Sequence, residues 1–109
     1  MTHEYGEFSD KQMHEVKESI RKQIFFLLLI VDEKTRDEYN NVDVNAAFDG
    51  LLRKIGGLNK LLGEPIEIVE VLSILEAAWS EYNDPNFQFR SYRRLILSAG
   101  SEVLKIKEV

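Results

Sequence analysis

Apolar side chains recur at three- and four-residue steps along most of this chain, and polar breaks separate the stretches that keep the step. Met13, Val16, Ile20, Ile24, Leu27 and Val31 make the first stripe. A 3.6-residue repeat puts them on one face of a helix, which predicts helix over 10–32. The start fits a capping box, "SDKQ". The Ser9 hydroxyl can accept from the backbone N–H of Gln12, and the Gln12 side chain can reach back, with Phe8 and Met13 at the staple positions.

The second half of this helix, "IFFLLLIV", is eight apolar residues without a break, from Ile24 to Val31. Arg21, Lys22, Asp32 and Glu33 flank it, and a membrane-spanning helix needs about 20 such residues, so a span is excluded here. The stripe also runs unbroken from Met13, which favours helix over a buried strand.

Residues 32–43, "DEKTRDEYNNVD", read as a loop. Asp43 is a good N-cap for a second helix over 44–62, striped by Val44, Phe48, Leu51, Ile55, Leu58 and Leu62. Gly56 and Gly57 interrupt it at about 1 kcal/mol each relative to Ala, which suggests a kink or a close helix crossing, or a ligand near bare backbone. In "LLGEPIEI", Gly63 suits the position after a helix and Pro65 the first turn of the next. Ile68, Leu72, Leu75, Trp79 and Tyr82 predict a third helix over 65–82, with Trp79 buried. The alternation in "IEIVEV" makes a short strand at 66–71 the competing reading. "NDPN" is a turn, and Tyr92, Ile96, Ala99, Val103 and Ile106 predict a fourth helix over 87–107. The expected fold is all-α, a small four-helix bundle forming a single domain over 1–109.

Composition narrows the function. The 109 residues carry a formal net charge of -5 and no cysteine. Disulfides, zinc–thiolate sites and thiol nucleophiles are excluded. The acidic balance disfavours non-specific binding to nucleic acid or an anionic membrane. The N-terminus "MTHEYGEFSDKQ" lacks the basic and apolar regions of a signal peptide, so a cytoplasmic protein is expected.

Candidate chemistry is sparse. His3 and His14 are each followed by glutamate, and His14 with Glu18 has metal-ligand spacing on a helix. Two ligands do not make a site, and both histidines read as solvated. The segments "EIVE" and "EYND" resemble the ExxE and ExxD magnesium-binding elements of all-α nucleotide pyrophosphatases, over eight residues. That resemblance implies a carboxylate-metal nucleotide hydrolase. In that family the pairs lie on different helices and converge on the ion. Here Glu67, Glu70 and Glu81 fall on one predicted helix, with Glu70 and Glu81 about 16 Å apart along its axis. They cannot share an ion within one chain. No enzyme activity, metal or cofactor is expected.

Two surfaces remain. In "FQFRSYRRL", Arg90, Arg93 and Arg94 share a helix face and make a candidate contact for an anion or a protein partner. A nucleic-acid-associated protein using these arginines is the alternative. Phe89 and Tyr92 point toward the expected core instead of serving as stacking platforms. On the first helix, Phe25, Phe26, Leu29 and Ile30 lie off the core stripe. A helix apolar all round is normally buried on all sides, so this surplus predicts an interface. Leu97 and Leu104 add to it on the fourth helix, with Gly100 and Ser101 between them small enough to admit another helix. The function expected is a non-enzymatic protein–protein interaction module, an adaptor, regulator or inhibitor, that homodimerises through helix one. The competing reading makes helix one central in the monomer, with the 32–43 loop covering its surplus.

Overall fold

A computed structural model describes residues 10–106, which form four α-helices and no strand. These are α1 (Asp10–Leu29), α2 (Val44–Leu61), α3 (Ile66–Tyr82) and α4 (Phe89–Val103), with a 3-10 turn at Arg36–Tyr39 between the first two. Each helix packs mainly on its two neighbours around the bundle, and α3 with α4 is the most extensive pairing. Cross-links fix the directions. Lys17 meets Ile106 while Tyr92 meets Leu27, so α1 and α4 run antiparallel. The four-helix, all-α expectation holds, and residues 66–71 are helical. The Ser9 capping box, Phe8 and His3 lie outside the described residues.

Most striped positions are core, with Val71 and Ala78 of α3 buried outside the stripes and Leu72, Trp79 and Tyr82 only partly buried. Ile20, Ile24, Leu27, Phe48, Ile55, Ile68, Leu75, Tyr92, Ile96 and Val103 are fully buried. Burying each such side chain contributes about 1.5–3 kcal/mol, which offsets the entropy of ordering the helices. An aromatic cluster seals one end: Phe48 stacks on Trp79 at 5.7 Å, and Tyr92 meets Phe48 at 6.3 Å and Phe87 at 5.8 Å. Trp79 is half-buried, not buried as predicted. Its indole N–H donates to Asn45 Oδ1 at 2.7 Å, so its polar edge stays at the surface while its face covers Phe48. An aromatic with a polar edge favours such a boundary position.

The helix ends explain where the predicted boundaries moved. At α2, Asp43 Oδ1 accepts from the Ala46 amide at 3.2 Å, as its N-cap character predicts. Its far end is a Schellman turn. The Glu64 amide donates to the Asn59 carbonyl at 2.7 Å and the Gly63 amide to the Lys60 carbonyl at 3.3 Å. Gly63 has φ 81° and Glu64 φ 57°, so only one of the two left-handed positions carries glycine. Between these caps, α2 runs through Gly56 and Gly57, where an added Cβ would meet open space. The close crossing expected there does not occur.

Helix α1 stops at Leu29, short of 32. The Leu27 carbonyl is taken by the Tyr92 hydroxyl at 2.6 Å and the Leu29 carbonyl by the Thr35 hydroxyl at 2.6 Å. The Val31 and Asp32 amides both turn to the Leu28 carbonyl. Helix α4 stops at Val103, short of 107, because the amides of Leu104, Lys105 and Ile106 tighten onto carbonyls three residues back. The carbonyls left over at this end are met from α1. Arg21 Nε donates to the Gly100 carbonyl at 3.3 Å, and Lys17 Nζ donates to Leu104 at 3.4 Å and Ile106 at 2.7 Å. Cations suit the negative end of a helix dipole, and here the neighbouring helix supplies them.

Candidate functional site: the arginine groove on α4

Most of the surplus on α1 is used inside the bundle. Ile30 is 6 % exposed and belongs to the core. Its amide still donates to the Phe26 carbonyl at 3.1 Å, so it keeps a helical position beside Leu27, at the edge of the striped face. Phe26 is half-buried and meets Tyr39 edge-on at 5.2 Å. The 32–43 segment therefore folds back over α1, as the competing reading of the surplus required. Phe25 is half-buried beneath Arg21, whose guanidinium lies 5.3 Å from the ring centre. The ring fills the place where Gly100 has no side chain: a Cβ there would lie 2.7 Å from Phe25 Cζ. Gly100 thus admits α1 of the same chain, not a helix from another. Leu29 keeps 39 % exposure.

The fourth helix turns the other way. Its outer face and the adjoining edge of α3 form an open groove of about 910 Å³. Ile74, Phe89 and Leu97 supply its apolar floor, and Ser98 and Ser101 its small polar positions. Arg90, Arg93 and Arg94 line one end and Glu102 the other. The three arginines are exposed and make no ion pair with any described residue. Phe89 and Arg93 also line a second cavity of about 460 Å³ of mixed charge, with Lys34 and Arg36 beside Asp32 and Glu33. Leu104, one turn beyond the groove, is 55 % exposed.

The carboxylate end has its own chemistry. Glu102 Oε1 receives the Lys105 ammonium at 2.7 Å, which holds its carboxyl below the usual range and raises the Lys105 ammonium in turn. Among the described residues its enclosed Oε2 has no donor, and Glu70 on α3 faces the same carboxylate. That contact and the Tyr82–Tyr92 ring pair set α3 antiparallel to α4.

The pyrophosphatase-like segments do other work. Glu81 Oε2 accepts from the Gln88 amide at 3.0 Å, which satisfies a backbone donor just ahead of α4. Asp84 Oδ1 accepts from the Asn86 amide at 2.7 Å within the turn. Both segments begin on α3, so Glu70 and Glu81 stay a helix length apart. Among the described residues no group of three or more His, Cys, Asp or Glu is placed to hold a metal. His14 is exposed, and Glu18 pairs with Arg21 at 3.7 Å. No described helix is long and apolar enough to cross a membrane. The chain matches no protein-family model, no curated protein and no solved structure.

Reasoning from sequence missed Lys17 and Arg21 as the caps of α4. The signal was present for Lys17, which lies four residues after Met13 and three before Ile20, on the striped face, and is buried there.

Proposed function

We propose that this chain is a non-enzymatic, cytoplasmic protein-interaction module whose working surface is the α4 groove, and that its partner presents an acidic, partly apolar face. The observation carrying this reading is the set of three exposed arginines, free of ion pairs with described residues, above an apolar floor. Guanidinium groups recognise carboxylates through paired hydrogen bonds, and such arginines with half-buried aromatics suit the centre of an interface. The surface moves from helix one, where the sequence suggested it, to helix four.

Titration of a fluorescein-labelled amphipathic helical peptide of Leu and Glu, read by anisotropy at about 0.15 M salt, tests it. Binding should weaken at least tenfold in Arg93→Glu with Arg94→Glu. Equal affinity for wild type and variant would overturn the assignment. The same arginines support the second reading, nucleic-acid association, against the acidic field of the whole chain. A labelled single-stranded oligonucleotide that binds more tightly than the peptide under these conditions would put it first.

A further inference from the structure

The bundle itself shows how one of its helices receives another. Lys17 and Arg21, one turn apart in the first part of α1, donate to carbonyls of Gly100, Leu104 and Ile106 at the end of antiparallel α4. One turn further along α1, Phe25 fills the place where Gly100 has no side chain. Two cations and then an apolar side chain thus read the last turns of the arriving helix. The outer face of α4 repeats that order, and among the described residues no helix lies on it. Arg90 and Arg94 are one turn apart with Arg93 beside them, and Leu97 follows on the groove floor. Arg90, Leu97 and Leu104 recur every seven residues, the spacing of a seam between two helices, and Leu104 is 55 % exposed. Ser98 and Ser101 flank this line and keep it low enough for a helix to come close. The first turn of α4 holds no acidic residue and Gln88 provides no side-chain cap, so the positive end of the helix dipole coincides with the arginines.

We infer that α4 receives an amphipathic α-helix of a partner protein, docked antiparallel, with that helix's C-terminal carbonyls and carboxylates on Arg90, Arg93 and Arg94 and its apolar side chains on Leu97 and Leu104. This rests on reading the groove as a protein-binding surface, and it adds the partner's secondary structure and direction. Parallel docking would bring the partner's positive end onto the arginines. Antiparallel docking brings its negative end there. The last carbonyls of a helix have no partner within it, and guanidinium groups can donate to them and to carboxylates together. A second copy does not offer such an end on α1 or α4, where Tyr92, Thr35, Lys17 and Arg21 already take carbonyls.

Two fluorescein-labelled peptides of about 18 residues and identical composition test this with the full chain. Both carry leucine at the seam spacing. One holds its glutamates in its last turns, the other in its first. Anisotropy at about 0.15 M salt should show the carboxylate-last peptide binding about tenfold more tightly or better. Acidic residues stabilise a helix at its N-terminus, so this preference cannot come from a better preformed helix. Arg90→Gln with Arg94→Gln should erase the preference, and Leu97→Asp should weaken both peptides. Helical circular dichroism and an unchanged melting midpoint establish that these variants fold. Equal affinity for the two peptides, tighter binding of the carboxylate-first one, or a preference that survives the arginine substitutions would each overturn the antiparallel helix and leave the protein-binding surface standing. If neither peptide binds, both fall. Wild type that sediments as a dimer, returned to monomer by the arginine substitutions, would put a second copy in the partner's place and overturn the inference.

Discussion

Helices α1 and α4 both carry more apolar surface than one stripe requires, and the bundle treats them in opposite ways. The excess on α1 is drawn inward: Phe25 lodges on Gly100, Phe26 is covered by Tyr39, and Ile30 enters the core. The excess on α4 stays outside, with Leu97 on the groove floor beside arginines that pair with no described carboxylate and Leu104 in solvent. The difference lies in what each helix has for neighbours. A 14-residue connection follows α1 and folds back over it, whereas the outer face of α4 has no covering segment among the described residues. An apolar run is therefore a poor guide to an interface when a long connection follows it. A shorter apolar patch rimmed by unpaired charge is a better one.

The largest test of this contrast falls on Tyr92, which joins the two helices. Tyr92→Ala should cost about 3–5 kcal/mol, the range for a large core aromatic, read from urea midpoints. A value below about 1 kcal/mol would mean that the aromatic cluster does not hold α4 in place.

The same side chain gives the contrast a pH signature. Burial, with a smaller contribution from Tyr82, pushes the Tyr92 phenol far above its ordinary value. The folded protein therefore keeps a proton that the unfolded chain releases near pH 10. The stability this represents is complete below about pH 10 and is lost as pH rises above it, at up to about 1.4 kcal/mol per pH unit. Urea midpoints between pH 9 and 11 should fall more steeply for wild type than for Tyr92→Phe. Parallel curves would place the phenol in solvent.

Gly100 sharpens the comparison at a smaller scale. Gly100→Ala should destabilise by about 1 kcal/mol, because the clash with Phe25 outweighs the gain of about 0.5–1 kcal/mol from replacing a helical glycine. In a Phe25→Leu background the same substitution should become neutral or stabilising. A double-mutant cycle without that change of sign would break the assigned contact. Smallest of all, Arg93→Glu with Arg94→Glu should change stability by less than about 0.5 kcal/mol, as expected for exposed side chains with no ion pair among the described residues. A larger loss on thermal melting would make these arginines part of the architecture.

Much of the fold was legible in local pattern. The stripes named most of the buried residues of α1, α2 and α4 but on α3 only Ile68 and Leu75, missing Val71 and Ala78, and Asp43 and Gly63 marked ends that follow from backbone chemistry within a few positions. The three arginines on one face were legible for the same reason, since 90, 93 and 94 are neighbours by helical geometry alone. What stayed hidden depends on pairs far apart in the chain. Gly100 reads as open to any helix until Phe25, 75 residues earlier, is seen in its place. Phe26 reads as surface until Tyr39, 13 residues later, is seen against its ring. The arginines could be found, but not the groove beside them. It needs Ile74 of α3 as its far wall, and no spacing within α4 indicates that residue.

Because the chain has no cysteine, thiol accessibility measures the contrast between α1 and α4 directly. Ile30→Cys and Leu104→Cys can each be reacted with an aromatic disulfide reagent in dilute protein, with the urea-unfolded chain as reference. The thiol of Leu104→Cys should react at nearly the unfolded rate. That of Ile30→Cys should react at least about 100-fold more slowly, the protection given by roughly 3 kcal/mol of local opening, and equally so at every protein concentration. If the thiol of Ile30→Cys instead reacts as fast as that of Leu104→Cys in dilute solution, and slows only as concentration rises, the surplus on α1 is an intermolecular surface and its burial within the bundle is wrong.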